Sequence, residues 1–339
     1  MIMNFKNIAI IAHVDHGKTT LIDKLLQQSG LFKHHQEQTE RIMDCNDLEK
    51  ERGITIKSKH ASIIWKNYTI NIVDTPGHAD FGGEVERILS MVDSVLLVVD
   101  AFEGPMPQTR FVTQKAFAHK LNPIVVINKI DRNNSRPEWV IDKIIDLFFN
   151  LNANDRQLDF PIVYTSAILG IAGTNYHQMS QNMHPLYETI LTHIPNPKKT
   201  HTESFQMQIS QLDYDNYLGI IGIGKIQRGK ITKNQSIAVI NSENQINHGK
   251  INKIFHYVGL KLVEINTATS GDIIAIAGLN NLKISDTLCE PNNLEKLPSI
   301  KIDKPTVKIL FCVNNSPFCG KEGKFITSRH ILKRLKKEK

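Results

Sequence analysis

The first two hundred residues repeat one pattern, in which a short and nearly continuous apolar run is followed by a segment with helical periodicity. Such runs are typical of strands that are buried on both faces of a parallel sheet. The pattern predicts strands at residues 7–12, 70–73, 94–99, 124–127 and 162–164. An apolar run at 63–65 and a turn at 66–67 predict one antiparallel hairpin in this otherwise parallel sheet. The fold class that follows is a doubly wound α/β domain.

The first of these strands leads into a predicted phosphate-binding loop. Residues 12–19, AHVDHGKT, match the pattern G-x-x-x-x-G-K-[ST] except that Ala12 replaces the first glycine. A helix is predicted to begin at Gly17, with residues 21, 22, 25 and 26 on its buried face, so that loop amides and the helix N-terminus converge on a phosphate. Lys18 would neutralise the β- and γ-phosphates, and the Thr19 hydroxyl would ligate Mg²⁺. The alternative is an ordinary strand-to-helix turn with a surface lysine, which the later motifs disfavour. The residues predicted to bind the nucleotide here are Asp15, His16, Gly17, Lys18, Thr19 and Thr20.

Four further positions are predicted to surround the γ-phosphate. Asp74 ends a predicted buried strand, where a carboxylate needs a cation, and a role toward Mg²⁺ fits. Thr55 would offer its hydroxyl to Mg²⁺, although a surface strand threonine is the alternative. Gly77 can offer its backbone amide to the phosphate. His78 stands where GTPases that share this motif use glutamine to orient the attacking water, so we predict it to be the catalytic residue rather than a solvated loop histidine.

A second motif predicts the identity of the base. Residues 128–131 match N-K-x-D directly after a predicted strand. Asp131 can accept hydrogen bonds from N1 and N2 of guanine, which adenine cannot supply, so GTP is the predicted substrate. We predict that Asn128 and Lys129 also bind GTP, with the aliphatic part of Lys129 covering one face of the base. Ser166 and Ala167, after the last strand, are predicted to contact the base through their backbone.

Beyond the α/β pattern, prolines at 195 and 197 predict a domain boundary. Short β-type segments at 205–209, 218–226, 236–240 and 273–277 predict a small antiparallel barrel or sandwich. A strand at 307–313 and a helix from about residue 327 follow, and these two elements cannot bury an apolar face alone. We therefore predict three domains, at residues 1–197, 198–300 and 301–339.

Composition restricts the choice of partner and compartment. The 339 residues carry a formal net charge of +7, which favours a polyanion such as RNA, although a base bias of the genome also enriches lysine. The four cysteines, at positions 45, 289, 312 and 319, lack any C-x-x-C spacing, so we expect neither a zinc site nor a disulfide framework. No signal-peptide pattern or membrane-length apolar run occurs. We expect a soluble, cytoplasmic monomer without a membrane or DNA partner.

The combined motifs resemble the translational GTPases. Within that group the chain is most similar to the TypA/BipA family, and the resemblance covers all 339 residues. The strings that carry it are GHADFGGEVER at 77–87, FQMQISQLDY at 205–214 and FCVNNSPFCGKEGKF at 311–325. This resemblance implies a P-loop GTPase domain, a translation-factor-type β-barrel and the start of a ferredoxin-like α+β domain.

The resemblance also implies an activity and partners. It implies a Mg²⁺-dependent GTPase that binds the ribosome through rRNA, and possibly tRNA, and serves large-subunit assembly and stress adaptation. Val14 and Ile54 would form an apolar gate around His78 until ribosomal RNA draws the imidazole in. Activation of this kind is worth about 10³- to 10⁵-fold in other systems, so intrinsic turnover should be slow. Members of the family continue well past position 339, so we expect a fragment or a truncated chain. A nucleotide-gated adaptor and a decayed remnant with little turnover are the alternatives.

Overall fold

The structure is a computed structural model of the chain, and it contains two compact units, Met1–Ile302 and Asp303–Lys339. The residues that it describes are 4–30, 55, 58–77, 81–197, 200, 203–279, 281–301, 307–321, 323 and 325–338. Within the first unit we call the part up to residue 197 the α/β domain. The part from residue 203 to 301 is called the β-barrel.

The α/β domain is built on a mixed sheet of strands with the order β2-β3-β1-β4-β5-β6-β7-β8. The strands are β1 Asn4–Ala12, β2 Lys59–Trp65, β3 Tyr68–Asp74, β4 Ser94–Asp100, β5 Asn122–Asn128, β6 Ile162–Ser166, β7 Ile171–Asn175 and β8 Gln178–Ser180. β3, β1, β4, β5 and β6 are parallel, and β2 pairs antiparallel with β3. The five predicted strands and the predicted hairpin are therefore confirmed.

The other end of this sheet differs from the prediction. β7 pairs antiparallel with β6, and β8 pairs antiparallel with β7, so the expectation of a single hairpin in an otherwise parallel sheet is wrong. Only part of β7 is buried, and it therefore lacks the continuous apolar run on which the prediction depended. Its turn is stabilised by the side chain of Asn175, whose Oδ1 accepts a hydrogen bond from the backbone N–H of His177 at 2.9 Å.

Helices cover both faces of the sheet and create two cores. The helices are α1 Lys18–Gln28, α2 Gly82–Leu89, α3 Pro107–Ala118, α4 Pro137–Asn150, α5 Asp155–Leu158 and α6 His184–His193. α1 and α6 pack on one face, with the predicted Leu21, Ile22, Leu25 and Leu26 buried. α2, α3 and α4 pack on the opposite face. The doubly wound arrangement is thereby confirmed. In the described part of the chain, no helix has the length and hydropathy that a bilayer span requires.

The β-barrel consists of short, mostly antiparallel strands. They are β9 Gln206–Gln208, β10 Gln211–Asp215, β11 Gly219–Arg228, β12 Lys230–Thr232, β13 Ser236–Ile240, β14 Ile246–Lys250, β15 Lys253–Val258, β16 Lys261–Ile265, β17 Thr267–Thr269, β18 Ile273–Ala277 and β19 Thr287–Cys289. The four predicted β segments all lie on these strands and are confirmed. Residues from the strands, including Phe205, Ile226 and Ile274, fill the barrel's own core.

The barrel packs against the face of the sheet that carries α2, α3 and α4. Side chains from β11, β15 and β18, including Ile223, Phe255 and Ala275, join the core on that face. The edge strand β2 is also covered, because Ser62 and Gly259 exchange two backbone hydrogen bonds of 2.9 and 2.8 Å. Covering an edge strand removes unpaired backbone groups from solvent. The α/β domain and the barrel are thus joined by apolar packing and by backbone pairing.

The second unit contains the helix α7, Ser328–Glu338. The predicted helix is confirmed, and the Thr327 side chain accepts a hydrogen bond from the backbone N–H of His330 at 3.3 Å. The predicted strand at 307–313 is wrong, since the described residues 307–321 contain no strand. A strand needs a neighbour to pair with. The division into domains at 197 and 300 stays a prediction.

Candidate nucleotide-binding site

The phosphate loop connects the fully buried end of β1 with the start of α1. Gly17 has φ 91°, a left-handed conformation that favours glycine. A Cβ at this position would lie 2.3 Å from Nδ2 of Asn128, so both the backbone conformation and the space require glycine. The first turn of any helix leaves N–H groups without intrahelical acceptors. The N-terminus of α1, including Thr19 and Thr20, can therefore offer N–H groups and a positive partial charge to a phosphate.

A buried cluster of one cation and three oxygen groups lies beside this helix terminus. The Lys18 ammonium donates hydrogen bonds to Oδ1 of Asp74 and to the carbonyl oxygen of Thr75. Oγ1 of Thr55 lies 3.5 Å from the Lys18 ammonium and 3.4 Å from Oδ2 of Asp74. Thr55 is 8% exposed and Asp74 is completely buried. The structure thus brings together Lys18, Thr55 and Asp74 from three separate segments.

The donor set of this cluster fits Mg²⁺. Hydroxyl, carboxylate and carbonyl oxygens are hard ligands, and a nucleotide-bound Mg²⁺ takes one or two protein oxygens together with phosphates and waters. Thr19 follows Lys18 at the start of α1 and can add a second hydroxyl. Among the described residues, no group of three or more histidine, cysteine, aspartate and glutamate side chains could hold a metal ion. A nucleotide-dependent magnesium site is therefore compatible with these side chains, whereas a protein-only metal cage is not found among them.

The segment after Asp74 packs tightly against the phosphate loop. Oγ1 of Thr75 donates a hydrogen bond of 2.7 Å to the carbonyl of Ile10. A Cβ on Gly77 would lie 3.0 Å from the carbonyl oxygen of Ala12 and 3.6 Å from Cγ2 of Val14. Glycine therefore allows this close approach of two backbones. The predicted catalytic residue His78 and the predicted gate residue Ile54 lie outside the described residues.

On the base side, Asn128 connects the phosphate loop to the end of β6. Its Nδ2 donates to the carbonyl of His16 at 2.9 Å, and its Oδ1 accepts from Oγ1 of Thr165 and the N–H of Ala167, both at 3.0 Å. The side chain is 1% exposed. Asn128 therefore holds the phosphate loop and the end of β6 together. The Ala167 N–H is bonded to Asn128, and a contact between the Ala167 backbone and the base stays a prediction.

Lys129 also bonds to the phosphate loop, and it forms an ion pair that the sequence did not predict. Its ammonium lies 2.7 Å from Oδ2 of Asp100 and donates a 2.6 Å hydrogen bond to the carbonyl of Asp15. Burial raises the pKa of Asp100, but hydrogen bonds from Lys129 and the N–H of Phe102 outweigh it, so the pKa lies below its ordinary value. Asp100 ends β4 as Asp74 ends β3. A carboxylate at the end of a buried run was the signal that could have identified it.

The remaining predicted residues divide into buried and exposed ones. Asp131 is exposed beyond the end of β5, and Asp15 is exposed in the phosphate loop, while Ser166 is buried at the end of β6. The imidazole of His16 is completely buried, and its Nδ1 accepts a 3.3 Å hydrogen bond from the N–H of Asp100. Burial, and next the charge of His13, lower the pKa of His16. The His16 side chain is thus used inside the protein, and only its backbone remains for a phosphate.

These residues all lie at one edge of the sheet. β1, β3, β4, β5 and β6 end at Ala12, Asp74, Asp100, Asn128 and Ser166, and we call this the carboxyl edge. Ligands of open α/β sheets bind at this edge, where the loops after the strands meet. The predicted site residues that the structure describes are therefore brought together in one place.

Comparisons with known proteins agree with this arrangement. A family profile described as the elongation factor Tu GTP binding domain matches residues 3–196, and one described as elongation factor G domain 2 matches residues 204–291. Proteins named large ribosomal subunit assembly factor BipA are similar over 338 residues, or 100% of this chain. The identity is 68% for Buchnera aphidicola subsp. Schizaphis graminum, 63% for Salmonella typhimurium and 62% for Escherichia coli O157:H7. The matched region is 56% of each relative, so the chain spans about half their length.

Solved structures support the fold. A bacterial selenocysteine-specific elongation factor, EF-Sec, is 22% identical with a TM-score of 0.65, covering 85% of this chain and 45% of that one. A protein from Thermus thermophilus is 17% identical with a TM-score of 0.68, covering 89% and 57%. The predicted resemblance to TypA/BipA proteins and the predicted order of P-loop domain and β-barrel are confirmed. The chain belongs to the family of proteins that carry the elongation factor Tu GTP-binding domain.

Proposed function

We propose that this chain binds GTP at the carboxyl edge and hydrolyses it to GDP and phosphate. The observation that carries the proposal is the convergence of Lys18, Thr55 and Asp74 beside the N-terminus of α1. Lys18 would contact the β- and γ-phosphates when a nucleotide binds, since its ammonium is a buried cation at the start of α1. Asp131 is exposed and follows Asn128 and Lys129 in the chain, and it would accept hydrogen bonds from the guanine base.

The magnesium site of this proposal consists of Thr19, Thr55 and Asp74. When bound, Mg²⁺ would neutralise charge on the β- and γ-phosphate oxygens. Asp74 would supply its carboxylate, which is completely buried at the strand end. Gly77 would donate its N–H to the γ-phosphate, and its close contact with Ala12 and Val14 keeps that backbone near the phosphate loop.

Hydrolysis requires a water in line with the γ-phosphorus. We assign His78 to orient this water on its sequence position alone, directly after Gly77. A neutral imidazole can accept the proton of the attacking water in the hydrogen bond that orients it. A positioned general base of this kind contributes about 10²- to 10⁴-fold in rate.

We propose the ribosome as the partner and the cytoplasm as the location. The relatives at 62–68% identity are named for large ribosomal subunit assembly, and the net charge of +7 favours a polyanionic partner. Contacts with rRNA, and with tRNA, and a monomeric state belong to the same proposal. The alternative of a nucleotide-gated adaptor has no comparable support among the relatives' names.

Nucleotide binding and turnover test the proposal separately. Calorimetry with GTP, GDP and ATP should show a guanine preference that depends on Mg²⁺, and equal affinity for ATP would overturn the nucleotide assignment. Phosphate release should then be measured with ribosomes, with isolated large subunits and without either. Stimulation by ribosomal particles supports the partner, whereas an unchanged rate with intact GTP binding would remove the ribosome from the proposal.

A further inference from the structure

Four polar side chains connect the β-barrel to two segments beside the carboxyl edge. We call them the Gln211 network, and they are Ser58, His60, Glu84 and Gln211. Nε2 of Gln211 donates hydrogen bonds to Oγ of Ser58 and to Oε1 of Glu84, the latter at 2.9 Å. The Ser58 hydroxyl donates to the same Glu84 oxygen, and Oε1 of Gln211 accepts from Nε2 of His60. One amide of the barrel is thus bonded to three groups of the α/β domain.

The positions of these partners in the chain give the network its significance. Ser58 follows Thr55 by three residues, so Thr55 can lie at most about 10 Å from it along an extended chain. Glu84 lies on α2, seven residues after Gly77. The Thr55 hydroxyl, predicted to ligate Mg²⁺, and the Gly77 amide, predicted to contact the γ-phosphate, are therefore each close in the chain to a member of the network.

Burial makes the amide at position 211 hard to replace. Ser58, His60 and Gln211 are at most 8% exposed, and the Glu84 side chain is 20% exposed. When a hydrogen-bond donor is removed in such surroundings, the buried carboxylate and hydroxyl are left without that partner, which costs free energy. A glutamine amide supplies two donors and one acceptor, which match the two acceptors on Ser58 and Glu84 and the one donor on His60.

The barrel does not depend on this amide for its attachment. Ser62 and Gly259 are joined by backbone hydrogen bonds, and the ring of His60 is stacked on that of Tyr257 with centroids 5.0 Å apart. Apolar residues of β11, β15 and β18 add a continuous core. Removal of the Gln211 amide should therefore leave the two parts docked and alter only the segments that it holds.

We propose that Gln211, a residue of the β-barrel, is a positioning residue for GTP hydrolysis. It holds Ser58 and Glu84 together, so that Thr55 and Gly77 adopt the arrangement that holds Mg²⁺ and contacts the γ-phosphate. GDP lacks this phosphate, so its binding does not require that arrangement. The inference rests on the GTP hydrolysis proposed above.

The first test is the variant Gln211→Met in the full chain, with Gln208→Met as its matched control. Among the described residues, the Gln208 side chain donates hydrogen bonds to the carbonyls of Ser285 and Pro298, which both lie within the barrel. In single-turnover hydrolysis, Gln211→Met should lower the rate constant about 10-fold. The affinity for GDP should stay within about twofold, because GDP lacks the γ-phosphate that the displaced groups contact. Gln208→Met should match the unmodified chain in both quantities. A Gln211→Met rate equal to that of the control would overturn the inference.

An exchange of charges across the contact provides the second test. Gln211→Glu places a second carboxylate against Glu84 and should lower the rate further, since like charges repel. The double variant Glu84→Gln with Gln211→Glu restores one carboxylate and one amide, and its rate should return to within about threefold of the original. A double variant as slow as Gln211→Glu would overturn the proposal.

Two further outcomes distinguish a positioning role of Gln211 from a structural role and from a failure of GTP binding. A merely structural role would lower the melting temperature of Gln211→Met without changing its hydrolysis rate, and that result would also overturn the inference. If the unmodified chain fails to bind GTP, the proposed function fails and the inference with it. If the unmodified chain hydrolyses GTP and the charge exchange gives no recovery, only the inference fails.

Discussion

The carboxyl edge and the contact between the α/β domain and the barrel both bury polar side chains, but they pair them differently. At the carboxyl edge, Lys18, Thr55 and Asp74 form a charged cluster beside a helix N-terminus. At the domain contact, Nδ2 of Asn7 donates to the carbonyl of Gly271 and to Oδ2 of Asp93, both at 2.8 Å. We call this second group the Asp272 cluster, and its members are Asn7, Asn71, Asp93, Lys225, Gly271 and Asp272.

The two regions solve the burial of a carboxylate in opposite ways. Asp74 is neutralised by the ammonium of Lys18. Burial raises the pKa of Asp272 to about 7, although hydrogen bonds from Asn71 and from the backbone of Ile273 oppose the shift. The pairing of Asp74 with Lys18 offers a cation to a nucleotide and oxygen ligands to Mg²⁺. The burial of Asp272 contributes to stability alone. We therefore expect substitutions at the carboxyl edge to alter nucleotide chemistry and those in the Asp272 cluster to alter stability.

The largest expected effect on nucleotide selection is at Asp131. Replacing Asp131 with alanine removes two hydrogen bonds to a charged group, which should lower GTP affinity about 1000-fold and reduce the preference over ATP. Since Asp131 is exposed, the melting temperature should not change. Calorimetry and thermal unfolding measure the two quantities, with Asp142→Ala, an exposed aspartate on α4, as the control. Retained guanine preference in Asp131→Ala would contradict the assignment of the base.

The largest expected effect on stability is at Asp272. Its pKa in the folded chain, about 7, lies above the ordinary 3.8, so the native state holds a proton that the unfolded state releases. This contribution to stability is fully present below about pH 4 and is lost as the pH rises to about 7. Asp272→Asn cannot titrate and should gain about 4 kcal/mol over the original chain between pH 4 and pH 8. Urea unfolding of both chains across this range measures the difference.

Nucleotide binding gives the control for Asp272→Asn. The variant should bind GTP with unchanged affinity, because the Asp272 cluster contains none of the residues that we place at the nucleotide. Parallel stability curves for the two chains at all pH values would show that the carboxyl is ionised in the folded state, contrary to its expected pKa.

The sequence predicted the carboxyl edge more completely than the domain contact. The sequence predicted the strand ends, and it placed Gly17, Lys18, Asp74 and Asn128 at this edge, because each belongs to a local pattern in which residue type and spacing carry the chemistry. Asp272 and Gln211 belong to no such pattern. Gln211 bonds to Ser58, His60 and Glu84, and Asp272 bonds to Asn71, all more than a hundred positions away. Single-sequence periodicity does not contain that information.

Two features of the carboxyl edge did not follow from the sequence, and they have the same cause. GTP binding by Asn128 stays a prediction, and its side chain also bonds to His16 and to Ala167 after β6. Asp100 was missed, although it anchors Lys129. Hydrogen bonds between the ends of neighbouring strands depend on the order of strands in the sheet, which a motif search does not provide.

An intermediate effect, on the rate of GTP hydrolysis, is expected at His78. Its replacement separates hydrolysis from nucleotide binding at the carboxyl edge. Replacing His78 with alanine should lower the rate of GTP hydrolysis at least about 100-fold, because the attacking water loses its general base. GTP and GDP affinities should remain within about twofold, since the role proposed for the side chain is toward the attacking water and not toward a phosphate. Single-turnover phosphate release with ribosomes measures the rate. An undiminished rate would favour the nucleotide-gated adaptor.

The smallest effect is expected at Asn128. It would weaken the contrast between a carboxyl edge that acts on the nucleotide and an Asp272 cluster that contributes to stability. The Asn128 side chain bonds to the carbonyl of His16 as well as to Thr165 and Ala167. Asn128→Ala should therefore lower both the stability of the chain and its affinity for GTP. We expect a loss of about 1 to 3 kcal/mol in the free energy of unfolding and a loss of GTP affinity of about tenfold from the less ordered loop. Asn122→Ala, at the exposed start of the same strand, should change neither. If Asn128→Ala lowers only the affinity for GTP, Asn128 contacts the nucleotide and does not stabilise the loop. The carboxyl edge could then not be divided into residues that stabilise the loop and residues that bind the nucleotide.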